Sequence, residues 1–227
     1  MISLHETCQQ YVVRRLSEGW MIVSQQGHHL VLSSPDGNIL RPVDLRNDIK
    51  TLRPNAAGDE TNINTQEPVE GEHWDKVDEA IADEDTTTVG NGFSDAGVWQ
   101  RDLYNLPASG GSGTINFVKA YARCKKSVGG SYKIAIKSGG VVGETGGAAL
   151  TASFVTYSNQ WGIPPEGGSW TWAKIDALQA GVSLEAEGFG TAAICTQVYV
   201  EVDYEPAAGL ENKSANMGSK MVGAGLI

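Results

Sequence analysis

Long apolar runs are missing from this chain: nowhere in its 227 residues does a stretch approach the ~18–20 apolar residues that cross a bilayer, so no membrane partner is expected. Cysteine is scarce. Cys8, Cys124 and Cys195 are three in number, far apart and without a C-x-x-C pair, which excludes a disulfide scaffold and leaves reduced structural thiols made in a cytoplasm. The four histidines, His5, His28, His29 and His73, show no metal-ligand spacing with a cysteine or with one another. There is no G-x-S-x-G, no Walker motif and no glycine fingerprint after a strand; Gly188-Phe189-Gly190 reads only as a turn. No catalytic residue, metal ligand or cofactor is therefore assigned, and the chain does not read as an enzyme. Met1 to Gln10 lacks a basic region followed by an apolar one, so no secretory signal is expected there.

Glycine, by contrast, is abundant: 28 residues, most of them between Gly90 and Gly190, where they punctuate short alternating runs. With 41% hydrophobic and 19% charged residues, the chain can bury a core. Its net charge of −10 is local. Residues 55–85 carry eleven acids against one base, Lys76, and the remainder sums to zero. So acidic a segment argues against nucleic-acid binding.

Four parts follow from the pattern. Residues 1–54 read as a small α+β unit that attaches the protein. Ser3-Leu4-His5-Glu6 fits a capping box, and Cys8, Tyr11, Val12 and Leu16 recur at helical spacing before Gly19. A small β-meander covers Trp20–Leu40, with a turn at Ser34-Pro35-Asp36-Gly37-Asn38, and Asp44 caps a short helix with Leu45, Ile49 and Leu52 on one face. Residues 55–72, polar and turn-rich, read as an acidic linker or arm. Residues 73–205 read as an antiparallel two-sheet β-sandwich, jelly-roll-like, so the fold class is mainly β. Val118–Cys124, Tyr132–Lys137, Leu150–Phe154 and Val198–Tyr204 each alternate with period two. Thr171 caps one helical turn through Trp172, Ile175 and Leu178, stopped by Gly181. Residues 206–227 form a C-terminal tail, apolar at its end, that reads as a docking segment through Met221, Leu226 and Ile227.

Several features invite a sharper reading and do not sustain it. The run Asp75–Asp85 has the carboxylates of a Ca²⁺ site but not the loop glycine and terminal glutamate of an EF-hand. Glycosidase chemistry needs paired carboxylates, which sequence cannot pair. Trp170 and Trp172 read as core beside the helical turn, whereas Trp99 and Trp161 are candidates to stack on a sugar.

The order of blocks resembles a family of virion structural proteins of tailed bacteriophages and related archaeal viruses. The matching residues are His73-Trp74-Asp75-Lys76-Val77-Asp78-Glu79, Asp83-Glu84-Asp85-Thr86-Thr87, Asp102-Leu103-Tyr104-Asn105-Leu106-Pro107, Ala122-Arg123-Cys124, Trp170 through Gly181 and Thr196 through Tyr204, with Leu45-Arg46-Asn47-Asp48 and Leu52 through Thr61 extending the match upstream. The resemblance implies a non-enzymatic β-sandwich on a virus particle, made in the host cytoplasm. The leading expectation is a cement or head-fibre protein on the capsid surface, bound to the major capsid protein or other virion proteins and homo-oligomeric, with a trimer favoured. The alternative is a tail fibre or receptor-binding protein whose sandwich touches host glycans. The expected attachment surface comprises Leu4, Tyr11, Val12 and Leu16, then Asp75, Asp78, Asp83, Glu84 and Asp85, then Met221, Leu226 and Ile227.

Overall fold

The computed structural model describes residues 8–26, 29–44, 47–92, 95–188 and 190–207. The expected capping box at 3–6, Leu4, Leu45 and the tail residues Met221, Leu226 and Ile227 lie outside them.

Helix α1 (Cys8–Ser17) ends where Gly19, at φ 86°, turns the chain back: its N–H bonds the Leu16 carbonyl and the Trp20 N–H bonds that of Arg15. Strands β1 (Met21–Gln26), β2 (His29–Ser33) and β3 (Leu40–Asp44) form an antiparallel three-stranded sheet in that order. Among the described residues, Val12, Leu30 and Leu32, with Trp20 against them, make the core of this unit. The β2–β3 connection is closed by Ser34, whose N–H bonds the Ile39 carbonyl and whose hydroxyl bonds Asp36.

The β-sandwich is as read, and wholly antiparallel. The front sheet runs β11 (Val141–Glu144), β10 (Ser131–Ser138), β14 (Gln179–Glu185), β8 (Gln100–Asn105), β5 (Ala56–Thr61), with the two-residue β12 (Ala148–Ala149) also on β10. The back sheet runs β13 (Val155–Trp161), β9 (Thr114–Lys126), β15 (Ala193–Glu205), β7 (Thr88–Asn91), β6 (Thr65–Glu67), with β4 (Asp48–Leu52) beside the second half of β15. Strands cross between layers as the chain proceeds, β9 to β10 and β13 through β14 to β15. Val118, Ala120, Ala122 and Cys124 of β9, with Val198, Val200 and Val202 of the neighbouring β15, face Ile134 and Ile136 of β10 and Val182 and Leu184 of β14, all buried. β9 alternates cleanly from Val118 to Cys124, as a half-buried strand requires, whereas the central β14 is buried at both parities from Gln179 to Leu184. At ~1.5–3 kcal/mol per fully buried aliphatic side chain, this core dominates the stability of the domain.

Four expectations are corrected. Residues 55–72 are not a free arm: β5 and β6 are edge strands of the two sheets, and Ile63 between them is buried. Their side chains are polar because they face water, while their main chains pair with β8 and β7. Of the expected short helix, Ile49 and Leu52 lie instead on β4, which pairs with β15 from Leu52↔Val200 to Asp48↔Tyr204, because the long second half of β15 offers a ladder that an isolated helical turn cannot match. The sandwich therefore begins near Asp48. Leu150–Phe154 is mostly loop, with Ala152 exposed, and the strand is the polar β13 that follows. The helical turn is α2 (Trp172–Asp176), capped by the Thr171 hydroxyl accepting from the Lys174 N–H, but Gly181 does not stop it. Gly181 lies inside β14, where an added Cβ would sit 1.9 Å from the Asp102 carbonyl oxygen.

Candidate functional site: the outer face of the front sheet

Along β8, β14 and β10, the positions that alternate with the core residues point away from it. The register places Arg101, Ser183 and Lys133 in one row, and Asn105, Gln179 and Lys137 in another. β5 carries a wide bulge: Ala57 pairs with Tyr104 and Thr61 with Asp102, so Gly58, Asp59 and Glu60 swing over this face. Gly58 makes the approach possible, since a Cβ there would be 2.4 Å from the Leu103 carbonyl oxygen.

The bulge and the rows lock into a charged ladder. Arg101 donates to Glu60 through Nε (2.9 Å) and Nη2 (2.8 Å), and its Nη1 lies 3.0 Å from Oε1 of Glu144 on β11. The Ser183 hydroxyl donates to Glu144, and Lys133 Nζ stands 3.7 Å from that carboxylate and 4.2 Å from the Trp99 ring centroid. Asp59 takes Lys137 Nζ at 2.6 Å, while its N–H donates to Gln179 Oε1. Glu60 bonding raises the Arg101 pKa above its ordinary value. Burial pushes the Glu144 carboxyl up, but Ser183 and Arg101 together outweigh it and hold it low. The Lys137 ammonium likewise holds Asp59 low. The result is a half-buried surface of oriented donors and acceptors with an indole at one end, chemistry suited to hydrogen-bonding a hydroxyl-rich ligand beside an aromatic ring. Trp161, the other sugar-stacking candidate, is elsewhere. It ends β13 on the inner side of the back sheet, packs on the core, and its carbonyl accepts from Trp170 Nε1 at 2.9 Å. Trp170 and Trp172 are indeed packed around α2, Trp172 edge-on to Tyr204 at 4.9 Å.

Four of the five acidic residues expected to grip a partner, Asp75, Asp83, Glu84 and Asp85, pair within the chain. After the 3₁₀ turn His73–Lys76, the segment lies over the back sheet, held by Arg53 and Gln197 donating to the Glu79 carbonyl, each at 2.6 Å, and by the Val198 N–H donating to the Val77 carbonyl. Asp75 pairs with Lys76, Asp83 accepts from Thr87 and Thr196, Glu84 takes Arg123 at 2.6 Å, and Asp85 takes Lys125. Asp78 is half-buried and pushed up, first by burial and then by Asp75. Glu79, which accepts from Thr87 at 2.7 Å, is raised for the same first reason. Among the described residues, no group of three His, Cys, Asp or Glu side chains is placed to hold a metal ion.

On the N-terminal unit, Val12 is buried in the small core and so faces no partner, while Leu16 is exposed and Tyr11 lies on α1. Besides Leu16, the exposed apolar side chains among the described residues of this unit are Met21, Ile22, Val23, Ile39 and Leu40, each 44–61% exposed. Met21 and Leu40 share a register row across Ser33.

One buried constellation escaped sequence reasoning. Asp102, fully buried on β8, accepts from the Ile63 N–H (2.8 Å) and the Tyr104 hydroxyl (3.1 Å) and sits 2.6 Å from His73 Nδ1. Burial, then Asp102, raises the Tyr104 phenol well above its usual range. This carboxylate ties three segments together. Cys124 and Cys195 face each other across β9 and β15 as buried free thiols, and burial pushes the Cys124 thiol well up.

No family model and no curated protein sequence matches the chain. Among solved structures, a point mutant of a family 29 carbohydrate-binding module is similar over 69% of this chain and 92% of its own, at 14% identity and TM-score 0.36. A family 61 module in complex with β-1,4-galactotriose is similar over 51% of this chain and 70% of its own, at 12% identity and TM-score 0.34. The C-terminal family 6 module of a marine laminarinase from Zobellia galactanivorans covers 67% of this chain and 98% of its own, at 12% identity and TM-score 0.34. Likeness this weak assigns neither a ligand nor a function to the chain.

Proposed function

We propose that this chain is a non-enzymatic structural protein of a virus particle, decorating the capsid surface as a cement or head-fibre protein. The observation that carries the reading, beside the resemblance of its sequence blocks, is the division of apolar surface. The sandwich closes its own core, whereas the N-terminal unit, among its described residues, buries three aliphatic side chains and leaves five exposed on and beside its sheet. So small a unit with so much apolar surface is suited to burial against a larger body, here the major capsid protein or another virion protein. The sandwich then projects, and many copies stabilise the shell by binding its assembled form. Locating the protein in intact particles by electron microscopy tests this directly. Density on the head supports it; density at a tail tip, or exclusion from particles, overturns it.

A second reading, a tail fibre or receptor-binding protein contacting host glycans, is favoured by the ladder from Asp59 to Trp99. Binding of the chain to a glycan array, abolished by Trp99→Ala, is what would establish it.

A further inference from the structure

The edges of the two sandwich sheets are not alike. β11 is four residues long and ends in Glu144; β5 is bulged and carries Asp59 and Glu60; β6 is three residues, ends in Glu67 and is followed by Pro68; β4 carries Asp48 and Lys50. Charge, proline, brevity and bulges are the devices that keep an open edge from pairing with another chain. β13 has none of them. Val155-Thr156-Tyr157-Ser158-Asn159-Gln160-Trp161 is seven residues without charge, proline or glycine, and it pairs with β9 in unbroken register from Val155↔Cys124 to Trp161↔Val118. Its other side is the end of the sheet. β1 of the N-terminal sheet is also uncharged, but a register shift between Ile22 and Ser24 twists it.

We propose that β13 is a self-association edge, and that its occupant is β13 of a second copy of this chain, antiparallel across a two-fold axis. The sequence is its own complement in that arrangement. With Ser158 on the axis, Thr156 faces Gln160 of the second copy, Tyr157 faces Asn159, and Val155 faces Trp161, so no like charges meet and the β-forming side chains pair. Thr156, Ser158 and Gln160 are exposed on the outer face, ready for cross-strand contact. The nearest basic row, Lys119 and Arg123 on β9, is one strand further in. In the pair, the two copies of that row are separated by three strand spacings, ~14 Å, beyond the ~8 Å Debye length at physiological salt, so it does not oppose docking. The two back sheets become one continuous sheet. A two-fold replaces the three-fold expected from the sequence resemblance.

The test is the association state of the full chain by sedimentation equilibrium. A contact confined to one strand falls below the ~1,200 Å² of a standard interface, so dimers are expected at roughly 10–100 µM. Ser158→Lys places two ammonium groups on the axis and is expected to weaken the dimer at least about 10-fold with an unchanged unfolding midpoint, whereas Val141→Lys on β11 leaves it as it was. Ser158→Cys gives an independent readout, rapid dimer formation with a short bis-maleimide, which Thr51→Cys on β4 does not give. A monomer throughout that range, or an oligomer indifferent to Ser158→Lys and not cross-linked through position 158, overturns the proposal.

Discussion

Removing the Asp102 carboxylate is the most incisive test of how this sandwich is held together. The side chain is fully buried, and Asp102→Ala strips the acceptor from the Ile63 N–H at 2.8 Å and the Tyr104 hydroxyl at 3.1 Å. Each buried donor left unpaired costs about 1–3 kcal/mol. His73 is 17% exposed and recovers its bond from water, so its loss adds little. The sum, with the small void, is about 3–5 kcal/mol. Asp102→Asn keeps one acceptor oxygen and is expected to cost less, about 1–2 kcal/mol, by the same reasoning. Glu60→Ala is the control: its pair with Arg101 is part-exposed, and such pairs contribute under about 1 kcal/mol. Urea unfolding followed by tryptophan fluorescence reads all three. For a domain of this size Tm should fall by about 2–4 °C per kcal/mol, hence visibly for Asp102→Ala and hardly for Glu60→Ala. Equal losses for Asp102→Ala and Glu60→Ala, or a loss under about 1 kcal/mol for the former, would refute the claim that the buried carboxylate ties β8 to the 3₁₀ turn and to the segment before β6.

Core truncation should be one-sided: Ile136→Ala is expected to cost about 2–5 kcal/mol in denaturant unfolding and Glu201→Ala, on the outer face of β15, under about 1 kcal/mol. The Glu79 carboxyl is raised by burial, so its charged form opposes folding above its folded pKa and the penalty vanishes below the unfolded value of 4.5. Glu79→Gln should therefore raise the urea midpoint at pH 7 and leave it unchanged near pH 3. Asp59 is held low by Lys137, so the stabilisation from that pair is present at neutral pH and lost as pH falls through the carboxylate range; Asp59→Asn should flatten that part of the stability–pH curve. A fragment spanning residues 47–207 is expected to give the cooperative unfolding of the sandwich yet fail to co-sediment with particles, and Met21→Lys with Leu40→Lys in the full chain should reproduce that failure; co-sedimentation of either would send the attachment surface elsewhere.

The inward parity of Ile134, Ile136, Val198, Val200 and Val202 was legible residue by residue, because a strand with one dry face writes period two into its side chains. So were the Thr171 cap and the glycine stop after α1, which depend on neighbours a few residues away. Strands with few apolar side chains on their inner face leave no such trace. β4, β5, β6 and β13 exist because a long ladder elsewhere needed partners for its backbone groups, and backbone pairing is indifferent to hydropathy. For the same reason an acidic stretch that looks like a loose arm is stapled down by Arg53, Arg123 and Lys125, residues whose positions along the chain say nothing of their reach. Asp102 meets His73 across 29 residues, and Glu60 meets Arg101 across 41. Charge and periodicity are properties of the chain and could be read from it. Which carboxylate finds which cation, and which strand edge stays open, was decided only when two sheets closed over one core.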